Sequence, residues 1–209
     1  VVAVAVLGHH GMLGRVVARR FAEKGARVLT TDERHTLAIV AWARHADLIV
    51  NCAYEPDSWE TNAVLPVLLA RAGRLIQPST DAINEDTSYA LEKRMAESAH
   101  AVIIRCSVVG SKPPPEVGYT NWTWNGITTL TWANIAWLHR DGLPELVIPG
   151  TEPISRLELY QTVAAVYGYQ RPQAEEAEAA RDRTQAVTWP THPIREQLEE
   201  LRDWERLGR

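Results

Sequence analysis

The 209 residues are enough for one substantial core with a small appendage and too few for two full-size domains. Apolar residues make up 45% and charged residues 23%, an ordinary globular balance, and the formal charge of −4 carries no basic footprint for nucleic acid. No apolar run approaches the roughly 18 residues of a membrane-spanning helix.

The chain opens on a continuous apolar run, Val1 to Leu7, bounded by Gly8, which predicts a strand buried on both faces of a parallel sheet. That start leaves no room for a signal peptide, so a cytoplasmic protein is expected. Residues Met12 to Lys24 have helical apolar spacing, and Gly25 ends them as a C′ glycine would. A second strand, Arg27 to Thr31, ends at Asp32. A helix from Thr36 to His45, a strand from Asp47 to Cys52 and a helix from Trp59 to Ala72 follow. Next come a strand from Arg74 to Gln77, a helix from Ser88 to His100 and a strand from Ala101 to Cys106. This alternation predicts an α/β, Rossmann-like, doubly wound parallel sheet with right-handed crossovers. Cys52 and Cys106 lie in apolar, strand-like runs and read as buried reduced thiols.

From Val109 the texture changes. SKPPPEVG is a proline-rich loop, and an aromatic stretch runs into a helix from Thr129. Glu145 to Ile148 reads as a short strand, and Ser155 with Glu158 has capping-box spacing for a helix to Tyr167. Residues 172–184 read as solvated, and a last helix spans Ile194 to Leu207. The expected division is a Rossmann-like domain at 1–110 and a small lobe at 111–209.

Two constellations carry chemistry. Gly8, Gly11 and Gly14 stand between a strand and a helix, where glycines permit a tight turn, close approach of a pyrophosphate and close helix–strand packing. Helix-start amides then face the phosphate charge. Asp32 sits near the separation of about 20 residues expected of the acid that binds a ribose 2′-hydroxyl. Its charge repels a 2′-phosphate and favours NAD(H), while Arg27 and Arg34 soften that repulsion and admit NADP(H). His9 and His10 lie inside the loop. Adjacent histidines rarely point at one ion and no third ligand is evident, so no metal is expected.

Tyr89 and Lys93, at i and i+4, share a helix face. A free tyrosine has a pKa of about 10, and each unit of depression requires about 1.4 kcal/mol. A nearby ammonium supplies such stabilisation and moves the phenol toward general acid–base work. Ser79, Thr80 and Asp81 follow a strand at the carboxyl end, where ligands of open α/β sheets bind, and Pro78 reads as the turn that aims them outward.

With GHHGMLG, NCA at Asn51 to Ala53, STD at Ser79 to Asp81, YALEK, RCSVVG, GYTNWTWNGITTL and PIREQLEEL, most of the chain resembles the extended short-chain dehydrogenase/reductase family. The branch it is most similar to is that of the dTDP-4-dehydrorhamnose reductases and related sugar-nucleotide-binding proteins. The resemblance implies that Thr80 orients a carbonyl, Tyr89 donates a proton, and Lys93 binds the nicotinamide ribose and lowers the Tyr89 pKa. It implies a dinucleotide lined by Gly8, His10, Gly11, Met12, Leu13, Gly14, Asp32, Cys52, Ala53, Tyr54 and Lys93. A nucleotide-sugar substrate would meet Ser79, Thr80, Asp81 and Val108, with Asn121, Trp122 and Asn125 in the C-terminal lobe.

The implied activity is NAD(P)H-dependent reduction of a nucleotide-linked 4-keto-deoxysugar for surface polysaccharide or glycan precursors, by a protein that can be a homodimer. Two alternatives stay open. One is an NAD-dependent epimerase or dehydratase, for which Asp81, Glu85 and Asp86 offer acids. The other is a non-catalytic, cofactor-binding regulator. The chain departs from the family in having only eight residues between Thr80 and Tyr89, and too few between Asp32 and Asp47 for the usual extra strand and helix.

Overall fold

The computed structural model describes residues 1–208, which divide into two compact units: Val1–Arg105 with Trp132–Val147, and Cys106–Thr131 with residues 148–208. The first unit is built on β1 (Ala3–Leu7), β2 (Arg27–Thr30), β3 (Leu48–Asn51), β4 (Leu75–Ser79) and β5 (Val102–Arg105). A sixth strand, Glu145–Val147, completes the sheet, whose order is Glu145–Val147, β5, β4, β3, β1, β2. Every pairing in it is parallel. All five residues of β1 are buried, as its unbroken apolar run requires, whereas β2 is half-exposed at the edge. The short stretch after Asp32 explains that edge: nothing in it can form a further strand beyond β2. The chain passes from β1 out to β2 and then crosses back to β3 on the other side of β1. The carboxyl ends of β1 and β3 therefore form the switch point at which such sheets open a ligand crevice.

Helices α1 (Met12–Glu23), α2 (Thr36–Ala43), α3 (Leu65–Ala72), α4 (Ser88–Glu97) and α5 (Thr129–Leu138) accompany these strands. Ala5, Leu7, Ile49, Leu75 and Ile103 form one core with Ile39 and Val40 of α2 and Leu65 and Leu69 of α3. The alternate residues Val4 and Val6 are fully buried as well, so both faces of β1 are covered. Phe21 of α1 meets the Trp137 ring edge-on, with centroids 5.2 Å apart. Gly25 has φ 86°, the left-handed conformation that terminates α1.

Three expectations shift. The helix expected from Trp59 begins as a wide turn at Glu60–Val64 before α3. Pro66 has no N–H to give the carbonyl four residues back, so a regular α-helical start is unavailable there. Strand β4 runs through Pro78 to Ser79, so Pro78 is in the strand and not in a turn. Its missing donor breaks no bond to β3, whose pairing with β4 ends at Ile76. Helix α4 stops at Glu97, three residues before the expected His100.

The second unit buries Trp124 with Leu159 and Val163 of α6 (Arg156–Tyr167) and Ile194 and Leu198 of α7 (Ile194–Leu207). Ser155 caps α6 as its spacing indicates, its Oγ accepting the Glu158 N–H at 3.0 Å. Residues 172–184 are largely exposed, yet they add two short strands, Gln173–Glu175 beside Val117–Tyr119 and Arg181–Asp182 beside Trp122–Trp124. Backbone pairing orders them, which a hydropathy pattern does not register. No helix among the described residues is long and apolar enough to cross a membrane.

Candidate active site

The glycine turn occupies the switch point. Gly8 has φ 68°, and a Cβ there would lie 2.6 Å from the Cys52 carbonyl oxygen. A Cβ on Gly14 would lie 2.1 Å from the Gly8 carbonyl oxygen, while one on Gly11 would meet only that oxygen, at 3.2 Å. Gly8 thus lets β1 pass against the β3 loop, and Gly14 lets α1 start against the turn. Gly11 precedes α1, and no side chain caps the helix's first amides. Met12 and Leu13 are half-buried in that first turn. This is a cradle for an anion at a helix start, and it fits a dinucleotide pyrophosphate.

Asp32 follows β2 with its carboxylate exposed, and Oδ1 lies 2.9 Å from His10 Nε2 and 3.8 Å from His9 Nε2. The third potential ligand that the sequence reading did not find is therefore Asp32, 22 residues on in the chain and adjacent in the fold.

On the other side of the switch point, β3 delivers Cys52, Ala53 and Tyr54. The Tyr54 ring stands edge-on to the Tyr89 ring, with centroids 5.6 Å apart. Lys93 Nζ lies 5.6 Å from the Tyr54 centroid and 5.7 Å from that of Tyr89. Thr87 caps α4, accepting the Ala90 N–H at 3.1 Å, and so fixes where the helix carrying Tyr89 and Lys93 begins. Lys93 is only 6% exposed. Burial pulls its pKa below the ordinary lysine value, opposed by the neighbouring Cys52 and Glu92. The Cys52 thiol is pushed up to about 12 by desolvation, against the pull of Lys93. Burial, with help from Glu92 and Asp57, raises the Tyr54 phenol. Lys93 and Cys52 thus sense each other, while the Cys52 carbonyl abuts Gly8. The glycine turn, the β3 loop and the Tyr–Lys helix meet in one place.

Thr80 follows β4 and is buried, its Oγ1 accepting the Ala82 N–H at 3.1 Å to cap a short 3₁₀ turn, Asp81–Asn84. Arg94 of α4 holds that turn through the Ile83 carbonyl at 2.7 Å. Beside Thr80, Ser79 Oγ and Asp81 Oδ2 are buried with no hydrogen-bond partner. Such groups are rare in folded proteins and mark positions where a ligand can satisfy them.

Sequence reasoning missed Asn62 and Glu92, both buried. Asn62 Nδ2 donates to Glu92 Oε2 at 2.9 Å and to the Glu55 carbonyl at 2.7 Å, and its Oδ1 accepts the Glu55 N–H at 3.1 Å. The loop after Tyr54 is thereby tied to α4. An asparagine inside an apolar helical run and a glutamate beside Lys93 were the available signals.

In the second unit, Val108 is half-buried in a two-residue strand paired with Ile127. Asn121 donates to the Ala177 carbonyl at 2.8 Å and accepts its N–H at 3.0 Å. Trp122 donates to the Ala179 carbonyl at 3.1 Å, with the Arg181 guanidinium 4.7 Å above its ring. Asn125 donates to the Gln185 carbonyl at 3.0 Å and accepts its N–H at 3.2 Å. The polar groups of these three side chains hold residues 177–185.

No family model matches the chain, and no curated protein matches it in sequence. Solved structures do. The dTDP-4-dehydrorhamnose reductase of Clostridium acetobutylicum is 15% identical with a TM-score of 0.76, over 98% of this chain and 99% of that one. The dTDP-4-dehydrorhamnose reductase of Bacillus anthracis, in complex with NADP, is 13% identical with a TM-score of 0.78, over 97% and 98%. The UDP-glucose 4-epimerase of Thermus thermophilus, in complex with NAD, is 15% identical with a TM-score of 0.73, over 98% and 99%. The chain shares the fold of these solved structures. The Rossmann-like expectation is met in strand order and direction.

Proposed function

We propose that the chain is an NAD(P)H-dependent reductase of a nucleotide-linked 4-keto-deoxysugar. The observation that carries the reading is the assembly of the buried Lys93 ammonium, the Tyr89 and Tyr54 rings and the Cys52 loop against the glycine turn. Gly8, Gly11 and Gly14 and the α1 amides bind the pyrophosphate, and Asp32 accepts a hydrogen bond from the adenosine ribose, which favours NADH. A nicotinamide bound there supplies hydride. Tyr89 gives its phenolic proton to the substrate carbonyl oxygen, and the Lys93 ammonium stabilises the phenolate that remains. Thr80 orients the carbonyl, with Ser79 and Asp81 offering their partnerless atoms to the sugar. Within the second unit, Asn121, Trp122 and Asn125 fix residues 177–185 through their side-chain hydrogen bonds.

The test is oxidation of NADH and NADPH, followed by absorbance, against a panel of nucleotide-linked 4-keto sugars. Turnover is expected with at least one, and Tyr89→Phe is expected to lose about 10²-fold or more in rate. Absence of turnover across the panel, or full activity in Tyr89→Phe, overturns the reading.

A further inference from the structure

The glycine turn carries a second constellation that dinucleotide binding does not account for. The Gly11 N–H donates to the Gly8 carbonyl at 2.9 Å, closing a four-residue turn whose two central residues are His9 and His10. Their ring centroids are 3.9 Å apart. Both Nε2 atoms approach the same oxygen, Asp32 Oδ1, at 3.8 and 2.9 Å. One imidazole suffices for a histidine–aspartate hydrogen bond, and a second directed at the same oxygen is left unexplained by it. The three ligand atoms lie within 4.8 Å of one another. Bonds of about 2.0–2.2 Å to a tetrahedral zinc put ligand atoms about 3.4 Å apart, so the spacing found closes on an ion with small side-chain rotations.

We infer that His9, His10 and Asp32 form a site for one divalent transition metal of the zinc class. Two imidazole nitrogens and one carboxylate oxygen select zinc, cobalt, nickel or copper over magnesium or calcium, which take oxygen ligands. The backbone of the turn is fixed by the close approaches at Gly8 and Gly14, so the two imidazoles are presented by a rigid support. The His10 and Asp32 side chains are 79% and 81% exposed, which gives the ion an entry path and leaves its remaining positions to water. A consequence rests on the dinucleotide reading: the metal takes the carboxylate oxygen that would receive the adenosine ribose, so metal and NADH weaken each other's binding by the same factor.

The experiment is calorimetric titration of the metal-stripped full chain with Zn²⁺, repeated with Co²⁺ and followed by its visible absorbance. One ion per chain is expected. Loss of even an outer partner of a bound metal costs about 10–100-fold in affinity, so His10→Ala and Asp32→Asn should each weaken binding at least about tenfold. His192→Ala, in the exposed His192–Glu196 pair, should leave it unchanged. Both informative substitutions are at exposed side chains, and circular dichroism confirms folding. Absence of stoichiometric binding, or binding that survives His10→Ala and Asp32→Asn, overturns the site. NADH titrations with and without saturating Zn²⁺ test the coupling: an unchanged NADH affinity overturns it. A chain that binds zinc at these residues and no NADH at all overturns the dinucleotide reading and leaves the metal site standing.

Discussion

Adding one methyl group at Gly14 sets two effects of known size against each other. Alanine is favoured over glycine inside a helix by about 0.8–1.0 kcal/mol. Against that, the new Cβ falls 2.1 Å from the Gly8 carbonyl oxygen, 2.7 Å from its carbon and 3.0 Å from the His9 Cα. All three are backbone atoms, so no side chain can rotate away, and α1 or the turn must move by more than an ångström to reach ordinary contact. Overpacking of this kind costs about 1–3 kcal/mol, and the Gly8 turn cannot yield easily because it abuts the Cys52 carbonyl. Steric strain wins. Gly14→Ala is expected to lower the melting temperature by several degrees, at about 2–4 °C per kcal/mol for a chain of this size. NADH affinity should fall further, because the displaced turn is the phosphate cradle. Gly11→Ala is the control. Its Cβ meets one oxygen at 3.2 Å, and a shift of a few tenths of an ångström relieves it. Scanning calorimetry and NADH fluorescence titration on both variants give the comparison. Equal behaviour of Gly14→Ala and Gly11→Ala, or a Gly14→Ala variant that binds NADH like the parent, would refute the packing argument.

Lys93→Met is expected to separate stability from activity. Burial holds the folded pKa of Lys93 below its unfolded value of about 10.4. Between the two values the unfolded chain binds more protons, so the Lys93 contribution to stability rises with pH through that window. The methionine variant should melt at or above the parent at pH 7, lose that pH dependence and lose reductase activity; calorimetry from pH 7 to 10 checks this, and a markedly lower melting point at pH 7 contradicts it. Asn62→Ala removes the donor to the buried Glu92 carboxylate and both side-chain bonds to the Glu55 backbone. A cost of about 1–3 kcal/mol is expected, more if the charge stays unpaired. Asn62→Asp instead sets two carboxylates face to face, which raises their folded pKa values; its loss of stability at neutral pH should therefore shrink on acidification, as thermal melts at pH 5 and pH 7 would show.

Much of the first unit was legible because parallel strands buried on both faces leave unbroken apolar runs. Val4 to Leu7 and Leu48 to Val50 are such runs, and both are buried strands. The glycine turn was legible because only glycine tolerates what the fold asks at positions 8 and 14. Convergence in space was not. Asp32 meets His9 and His10 only because β2 pairs in register beside β1, and Asn62 meets Glu92 only because the turn before α3 packs on α4. The extent of β4 was misjudged because proline punctuates most strands, whereas Pro78 stands past the end of one pairing partner. The roles of Asn121, Trp122 and Asn125 could not be read from composition, since the carbonyls they bind lie more than fifty residues away.

The most direct measurement follows deuterium from the reduced cofactor into the sugar. The chain is incubated with a nucleotide-linked 4-keto sugar and with NADH deuterated at the transferable C4 position of the nicotinamide, and the product is weighed by mass spectrometry. One deuterium per product molecule, located at the former carbonyl carbon, with the labelled product accumulating about 10²-fold or more slowly when Tyr89 is replaced by Phe, is the expected result. A product without deuterium, or a sugar returned unreduced while NADH stays bound, would contradict reduction at this site.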